Sequence, residues 1–144
     1  MGAVIPQEEL ITKILGEHTQ EEGKVASRVL SYVTENPDWQ MKEALLYKDK
    51  IILAISTALC KTFGHDITYY VGRDRRRELV EVRYMVFLLL REETDYSYND
   101  IGKIFKKNHS TVMFGEQTAK DLIQTYRPFR EDYQTFKNAY LSLI

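Results

Sequence analysis

A run of short polar residues, Asn108-His109-Ser110-Thr111, opens a stretch of helical apolar spacing and directly follows two lysines. Side chains of this kind at the start of a helix can reach base edges in the major groove of DNA, which is wide enough to admit a helix. Lys103, Lys106 and Lys107 would then lie beside phosphates. Since the first N–H groups of a helix also favour anions, the pattern is typical of a segment that reads DNA.

The same residues also have a purely structural interpretation. Asn108 and Ser110 are good helix caps, and His109 could be an ordinary exposed side chain. Spacing alone leaves both interpretations open.

The element before this run would complete a helix-turn-helix. Ser97 and Asp100 have the spacing of a capping box and predict a short helix that runs to Phe105. Gly102 would permit a close approach between this helix and the next, and Lys106-Lys107-Asn108 would form the tight turn between them. The side chains that would pack inward are Ile101, Ile104 and Phe105.

The densest basic cluster of the chain is Gly72-Arg73-Asp74-Arg75-Arg76-Arg77, which the sequence places in a loop. Residues 78–91 follow it, are apolar on nearly all sides and predict a central buried helix. The arginine run by itself fits a solvated surface as well as a nucleic-acid contact. Its position before the helix-turn-helix favours DNA.

Apolar residues recur at spacings of three and four, and only three prolines and seven glycines interrupt them, so an all-α fold is expected. The predicted helices cover about residues 6–15, 21–34, 41 or 48 to 63, 78–91, 97–105, 109 onward and 128–143. Gly64 would end the third, and Cys60 within it would be a buried, unreactive thiol. The last helix would pack through a stripe formed by Phe129, Tyr133, Phe136, Tyr140 and Leu141.

The net charge of −1 over 144 residues conceals two unlike parts. Residues 1–47 hold 4 basic and 8 acidic residues, whereas residues 48–144 hold 16 and 13. Because an acidic segment seldom docks on DNA, the nucleic-acid surface is expected in the second part. We therefore predict an acidic helical N-terminal extension (1–47), suited to packing or to a protein partner, and a helix-turn-helix domain (48–144).

A spaced pattern within the second part resembles a known signature. It reads Arg83-x7-Arg91-Glu92-Glu93-Thr94-x2-Ser97-Tyr98-x-Asp100-Ile101-Gly102-x2-Phe105-x2-Asn108-His109-Ser110-Thr111-Val112. This pattern is similar to the C-terminal DNA-binding domain of the bacterial replication initiator DnaA. The resemblance covers about residues 50–126 and extends to the closing helix.

The resemblance implies that His109, Ser110 and Thr111 lie in the major groove. It also implies that an arginine of the basic loop enters the adjacent minor groove, and counting back from Arg83 places this residue at Arg75, with Arg76 as the alternative. The full set of predicted DNA-binding residues is Arg73, Arg75, Arg76, Arg77, Thr94, Ser97, Lys106, Lys107, Asn108, His109, Ser110 and Thr111.

Three departures from the family pattern bear on specificity. Asn108 stands where the family has aspartate, and because asparagine donates as well as accepts it would suit adenine rather than the cytosine amino group. Ser110 lacks the methyl group that a threonine sets against a thymine methyl. The turn is one residue shorter than in many initiators, which would tilt the second helix.

Other chemistries find little support. The nearest approach to a phosphate-binding loop, Gly16 to Gly23-Lys24-Val25, has six intervening residues instead of four and no Ser or Thr after the lysine, so ATP-driven origin melting is not expected. The three histidines are scattered and the single cysteine cannot build a thiolate zinc site, so we predict no catalytic residue, cofactor or metal. No apolar run approaches the roughly 20 residues of a membrane span, and the N-terminus lacks the pattern of an export signal. We expect a cytoplasmic, nucleoid-associated protein.

The expected function is sequence-specific binding of double-stranded DNA at DnaA-box-like sites, in bacterial replication initiation or its regulation. One alternative is a protein-interaction module that kept the fold but lost DNA binding, for which the net charge of −1 is the best support. Another is a helix-turn-helix transcriptional repressor, acting as a dimer on paired half-sites. The sequence leaves the oligomeric state open.

Overall fold

The computed structural model describes Arg28 and residues 50–144 of the chain. Within residues 50–144 it has six α-helices and no strand, which confirms the all-α prediction. The helices are α1 (Lys50–Phe63), α2 (Ile67–Tyr70), α3 (Arg77–Glu93), α4 (Tyr98–Phe105), α5 (His109–Thr125) and α6 (Arg127–Leu141). The described residues divide into two compact units, one with α1 and residues 139–144, the other with residues 67–138.

Helix α3 is the core of the unit formed by residues 67–138. Residues 85–90 are all buried, and α5, α2 and α4 contact the helix. Helix α5 can approach closely because Gly115 has no side chain: a Cβ there would lie 2.6 Å from ring atoms of both Phe87 and Tyr84. The prediction of a central buried helix is confirmed.

Helices α4 and α5 form the predicted helix-turn-helix. The capping box is present, since the Ser97 hydroxyl accepts from the Asp100 N–H at 3.1 Å and the Asp100 carboxylate accepts from the Ser97 N–H at 3.1 Å. Lys106 follows α4 with a left-handed φ of 56°, and the Lys107 N–H donates to the Gly102 carbonyl at 2.8 Å. A Cβ on Gly102 would meet the Lys107 carbonyl oxygen at 2.4 Å, so glycine is required for this close turn.

Helix α1 belongs to the other unit, and its residues 52–60 are all buried. Gly64 has a φ of +91° and donates to the Cys60 carbonyl at 2.9 Å, which confirms the predicted glycine at the helix end. Cys60 is buried; burial first, and the nearby Asp66 carboxylate second, raise the pKa of its thiol to about 12. The thiol is therefore neutral and unreactive, as predicted.

Three local predictions were wrong. Residues 67–70, expected outside any helix, form α2 because Ile67 and Tyr70 are buried. Arg77, assigned to the basic loop, is the first residue of α3. Leu141 was placed in the packing stripe of the last helix but is 42% exposed, since it follows buried Tyr140 directly and so turns away from that stripe.

The predicted helices at about residues 6–15 and 21–34 lie outside the described residues, except for Arg28. Arg28 is helical, and its Nη1 donates to the Ile144 carbonyl at 3.0 Å. The predicted boundary between residues 47 and 48 also falls outside the described part, and it stays a prediction.

Candidate nucleic-acid interface

A cluster of positive charge joins the loop before α3 to the turn of the helix-turn-helix. The pKa of Lys107 is lowered by partial burial and then by the positive charges of Arg83, Arg75 and Arg73. We call these four residues the basic cluster. Like charges held within range of one another repel, and a bound anion would relieve that repulsion. The structure thus brings the loop arginines to the turn lysine, which lies more than 30 residues further along the chain.

Arg83 is the member of this cluster that the sequence analysis missed as a functional residue. Only 5% of it is exposed, and burial lowers the pKa of its guanidinium. Its Nε donates to the Tyr70 carbonyl, while its buried Nη2 has no hydrogen-bond partner within the described part of the chain. The available signal was a single arginine within the otherwise uncharged run of residues 82–90, because a buried cation is costly unless it is paired.

Two arginines of the basic run, Arg76 in the loop and Arg77 at the start of α3, are already paired within the protein. Arg76 forms an ion pair with Asp74, with Nη2 at 2.9 Å from Oδ2, and this pairing lowers the pKa of the Asp74 carboxyl. Arg77 lies 2.8 Å from Glu81, and its guanidinium is over the ring of Tyr126, 5.5 Å from the centroid. Arg73 and Arg75 are exposed. Arg76 is thus engaged with Asp74, and the choice between Arg75 and Arg76 for the minor groove stays a prediction.

The start of α5 is capped by Asn108. Its Oδ1 accepts hydrogen bonds from the Thr111 N–H at 2.9 Å and from the Thr111 hydroxyl at 3.0 Å. Both acceptor positions of that oxygen are thereby used, so the Nδ2 group is the part of Asn108 that can face a ligand. His109 and Ser110 are exposed next to it. The structural interpretation of Asn108 as a cap is correct, and its Nδ2 group takes no part in the two cap hydrogen bonds.

The other predicted residues lie at the ends of α3 and α4. The Thr94 hydroxyl donates to the Leu90 carbonyl and accepts from the Tyr96 N–H at 3.2 Å, so it caps α3. The Ser97 hydroxyl is used in the capping box, and Lys106 is exposed at the turn. These hydroxyls have structural roles, and a DNA contact by them stays a prediction.

A clamp of side chains fixes the position of α5. The Tyr98 hydroxyl of α4 donates to Glu116 of α5 at 2.9 Å, and the Arg91 guanidinium of α3 lies over the Tyr98 ring at 4.1 Å. Arg91 Nε is also 3.5 Å from Glu116 Oε2, an ion pair rather than a hydrogen bond. Three helices are thus tied together behind the exposed start of α5.

This arrangement defines a class: a helix-turn-helix whose second helix begins at an exposed polar surface, beside a basic cluster. Comparison with known proteins shows which family of helix-turn-helix proteins this chain resembles. Residues 52–118 match the family model described as bacterial dnaA protein helix-turn-helix. The resemblance found in the sequence is therefore confirmed over this segment.

Relatives among curated proteins match about half of the chain. The chromosomal replication initiator protein DnaA of Oleidesulfovibrio alaskensis is 42% identical over 74 residues, 51% of this chain and 15% of its own length. The DnaA proteins of Mycoplasma pneumoniae and Bacteroides fragilis are 35% and 31% identical, over 46% and 58% of this chain. The alignments cover only 15% and 18% of those two proteins, so each relative is several times longer than the matched segment.

No solved structure was found to match this chain. In the part of the chain that the structure describes, every helix is too short or too polar to cross a bilayer.

Proposed function

We propose that this protein binds double-stranded DNA sequence-specifically at DnaA-box-like sites. The observation that carries the proposal is the basic cluster beside the exposed start of α5. Positive charge alone would bind DNA of any sequence, because phosphates are the same in every sequence. A polar helix start alone would distinguish bases but would bind DNA only weakly. Together they supply the two components of specific recognition, phosphate neutralisation and base readout.

The basic cluster supplies affinity. Arg73 and Lys107 are suited to phosphates, and Arg83 adds positive charge from behind them, since its buried Nη2 cannot touch a phosphate directly. A phosphate placed here would be attracted by Lys107 and by the arginines whose positive charges help to lower the pKa of Lys107, although Asp74 partly offsets the charge of Arg83. Most of the affinity and its salt sensitivity arise from these contacts.

Base readout belongs to α5 and to Arg75. The helix presents His109, Ser110 and the Nδ2 donor of Asn108 to the major groove. Arg75, which is exposed and lies within range of Lys107, enters the adjacent minor groove. Thr111 acts through the cap, because its hydroxyl and N–H both bind Asn108.

The biological setting we propose is bacterial replication initiation or its regulation, in the cytoplasm at the nucleoid, with no chemistry beyond recognition. The DnaA relatives support this setting, and their name assigns them to initiation. On this view the chain occupies, blocks or marks initiator sites. Absence of DNA binding at low salt would favour the interaction-module alternative, whereas a helix-turn-helix repressor would share the DNA binding proposed here.

The test is equilibrium binding of the whole protein to a duplex carrying a DnaA-type box and to a scrambled duplex of equal composition. We expect preference for the box, and loss of that preference in Arg75→Ala and His109→Ala. Arg127→Ala is the matched control, because Arg127 is exposed on α6 and paired with Glu131 at 2.8 Å. Equal binding to both duplexes would leave a nonspecific DNA binder, and no binding at low salt would favour the interaction module.

A further inference from the structure

We propose that Met113 and Phe114 of α5 determine specificity by packing against the 5-methyl groups of thymines in the major groove. The inference rests on the proposed function and deepens it. It adds two apolar residues to the surface of α5 that is proposed to contact bases, where the sequence analysis predicted only polar residues.

Both residues lie on the exposed side of α5. The buried side of the helix is formed by Val112, Gly115 and Ala119. The opposite side presents four exposed residues, Ser110, Met113, Phe114 and Gln117. Their spacing is i, i+3, i+4 and i+7, which is the spacing that a helix lying in the major groove uses to reach bases. Met113 and Phe114 are thus continuous with the polar start of the helix.

Their exposure is unusual for their type. Phe114 is 64% exposed, more than any other large hydrophobic residue in the described part of the chain, and Met113 is 47% exposed. Isolated exposed apolar residues need no explanation, but two adjacent ones on the side of the helix that the proposed function turns toward DNA do. The Phe114 ring also meets the Tyr84 ring edge-on, with centroids 6.2 Å apart, so its direction is set by α3.

Thymine is the base that such side chains can recognise. In the major groove only the thymine edge carries an apolar 5-methyl group, and apolar side chains contact it. Ser110 lacks a methyl group of its own for this contact. Met113, with its flexible thioether, and the oriented Phe114 ring supply apolar surface one turn further along the helix.

The experiment replaces each thymine of the box, one at a time, by deoxyuridine, which keeps every hydrogen-bonding group and removes only the methyl group. The wild-type protein is compared with Met113→Ala, Phe114→Ala and the double variant, and with Leu141→Ala as a control that is also exposed and apolar but lies on α6. For each methyl group contacted we expect wild-type affinity to fall about fourfold on deoxyuridine. The double variant should bind the thymine and deoxyuridine boxes alike at those positions and still prefer both to the scrambled duplex.

The proposal is overturned if wild type shows no position sensitive to the methyl group, or if the double variant keeps the full wild-type sensitivity. Because the first comparison changes only the DNA, it does not depend on any variant folding. A wild-type protein that fails to prefer the box would instead contradict the proposed function itself, and this inference with it.

Discussion

Asn108 combines a structural and a recognition role in one side chain. Its oxygen accepts two hydrogen bonds from Thr111, so its amide nitrogen is the group left to bind a ligand. The sequence suggested that asparagine would bind adenine through both groups, which requires an oxygen able to accept from the base. With that oxygen occupied, the outward group is a donor, which suits acceptors such as the N7 and O6 of guanine or the O4 of thymine.

Replacing Asn108 tests this division of roles. Asn108→Ala removes the cap and should lower the free energy of unfolding by about 0.5–2 kcal/mol. Asn108→Asp keeps the cap and should leave stability nearly unchanged, while its outward group becomes an acceptor. On duplexes varied at each box position, the aspartate variant should shift its preference at one base pair toward a base that donates. Unchanged preference in the aspartate variant would show that Asn108 only caps α5.

Lys107 is expected to lower the stability of the fold and to strengthen DNA binding. Its pKa is lower in the folded protein than its ordinary value, through burial and through Arg83, Arg75 and Arg73. A lysine with a depressed folded pKa destabilises the fold while it is protonated, so the penalty is fully present at neutral pH and disappears as pH rises through the folded pKa. Lys107→Gln should therefore raise the melting temperature and weaken DNA binding.

The control for this change is another lysine of the same motif. Lys103 lies on α4, where hydrogen bonds from Ser97 first, and the positive charge of Lys103 to a smaller extent, lower the pKa of the Asp100 carboxyl. Lys103→Gln should leave the melting temperature unchanged or lower it slightly. If Lys107→Gln melts below wild type, the repulsion within the basic cluster is not a cost to the fold.

At the scale of elements, recognition depends on the angle between α4 and α5. Gly102 lets the turn fold back on α4, and Gly115 lets α5 lie against α3. The clamp of Arg91, Tyr98 and Glu116 then holds α5 in place at Glu116, about two turns from the start of the helix. An exposed reading surface is useful only if elements behind it are rigid.

Gly102→Ala tests the turn. The new Cβ would lie 2.4 Å from the Lys107 carbonyl oxygen, a backbone atom that cannot simply rotate away. Alanine favours a helix by about 1 kcal/mol over glycine, but overpacking of this kind costs about 1–3 kcal/mol. We expect lower stability by urea unfolding and a reduced preference for the box. Asn99→Ala, an exposed position on the same helix, should change neither, and equal behaviour of the two variants would argue against a constrained turn.

Tyr98→Phe tests the clamp. The ring beneath Arg91 is kept, while the hydrogen bond to Glu116 is lost. The free energy of unfolding should fall by about 0.5–1.5 kcal/mol, as judged by urea unfolding. A variant as stable as wild type would mean that the hydroxyl adds nothing to the position of α5.

Much of this could be predicted from the sequence, because the signals were local. The capping box at Ser97, the cap at Asn108 and the glycine after α1 all depend on residues a few positions apart. Arg83 was missed because its importance comes from Arg73, Arg75 and Lys107, which only the fold brings near it. Helix α2 was missed because four residues are too few to show a helical periodicity. In the folded protein the burial of Ile67 and Tyr70 stabilises this short helix.

At the scale of the whole molecule, a nearly neutral protein should still bind DNA with strong salt dependence. The net charge is −1, yet residues 48–144 carry an excess of basic residues, and the structure gathers four of them into one cluster. Long-range attraction is therefore weak, while local phosphate contacts are strong.

Salt titrations separate phosphate contacts from base contacts. The logarithm of the binding constant should fall linearly with the logarithm of salt concentration, and Arg73→Ala should reduce the slope by about 1 while leaving the ratio of box to scrambled affinity unchanged. Ser110→Ala should change the ratio of box to scrambled affinity and leave the salt dependence of binding unaltered. A slope that does not respond to Arg73→Ala would remove this residue from the phosphate contacts.

The most direct test of the central claim is the affinity ratio between a DnaA-type box and a scrambled duplex, measured near physiological salt for wild type, Arg75→Ala and His109→Ala. We expect wild type to prefer the box by at least about tenfold, and each substitution to bring the ratio close to one while the protein stays folded. A wild-type ratio of one, or a ratio unaffected by both substitutions, would contradict it.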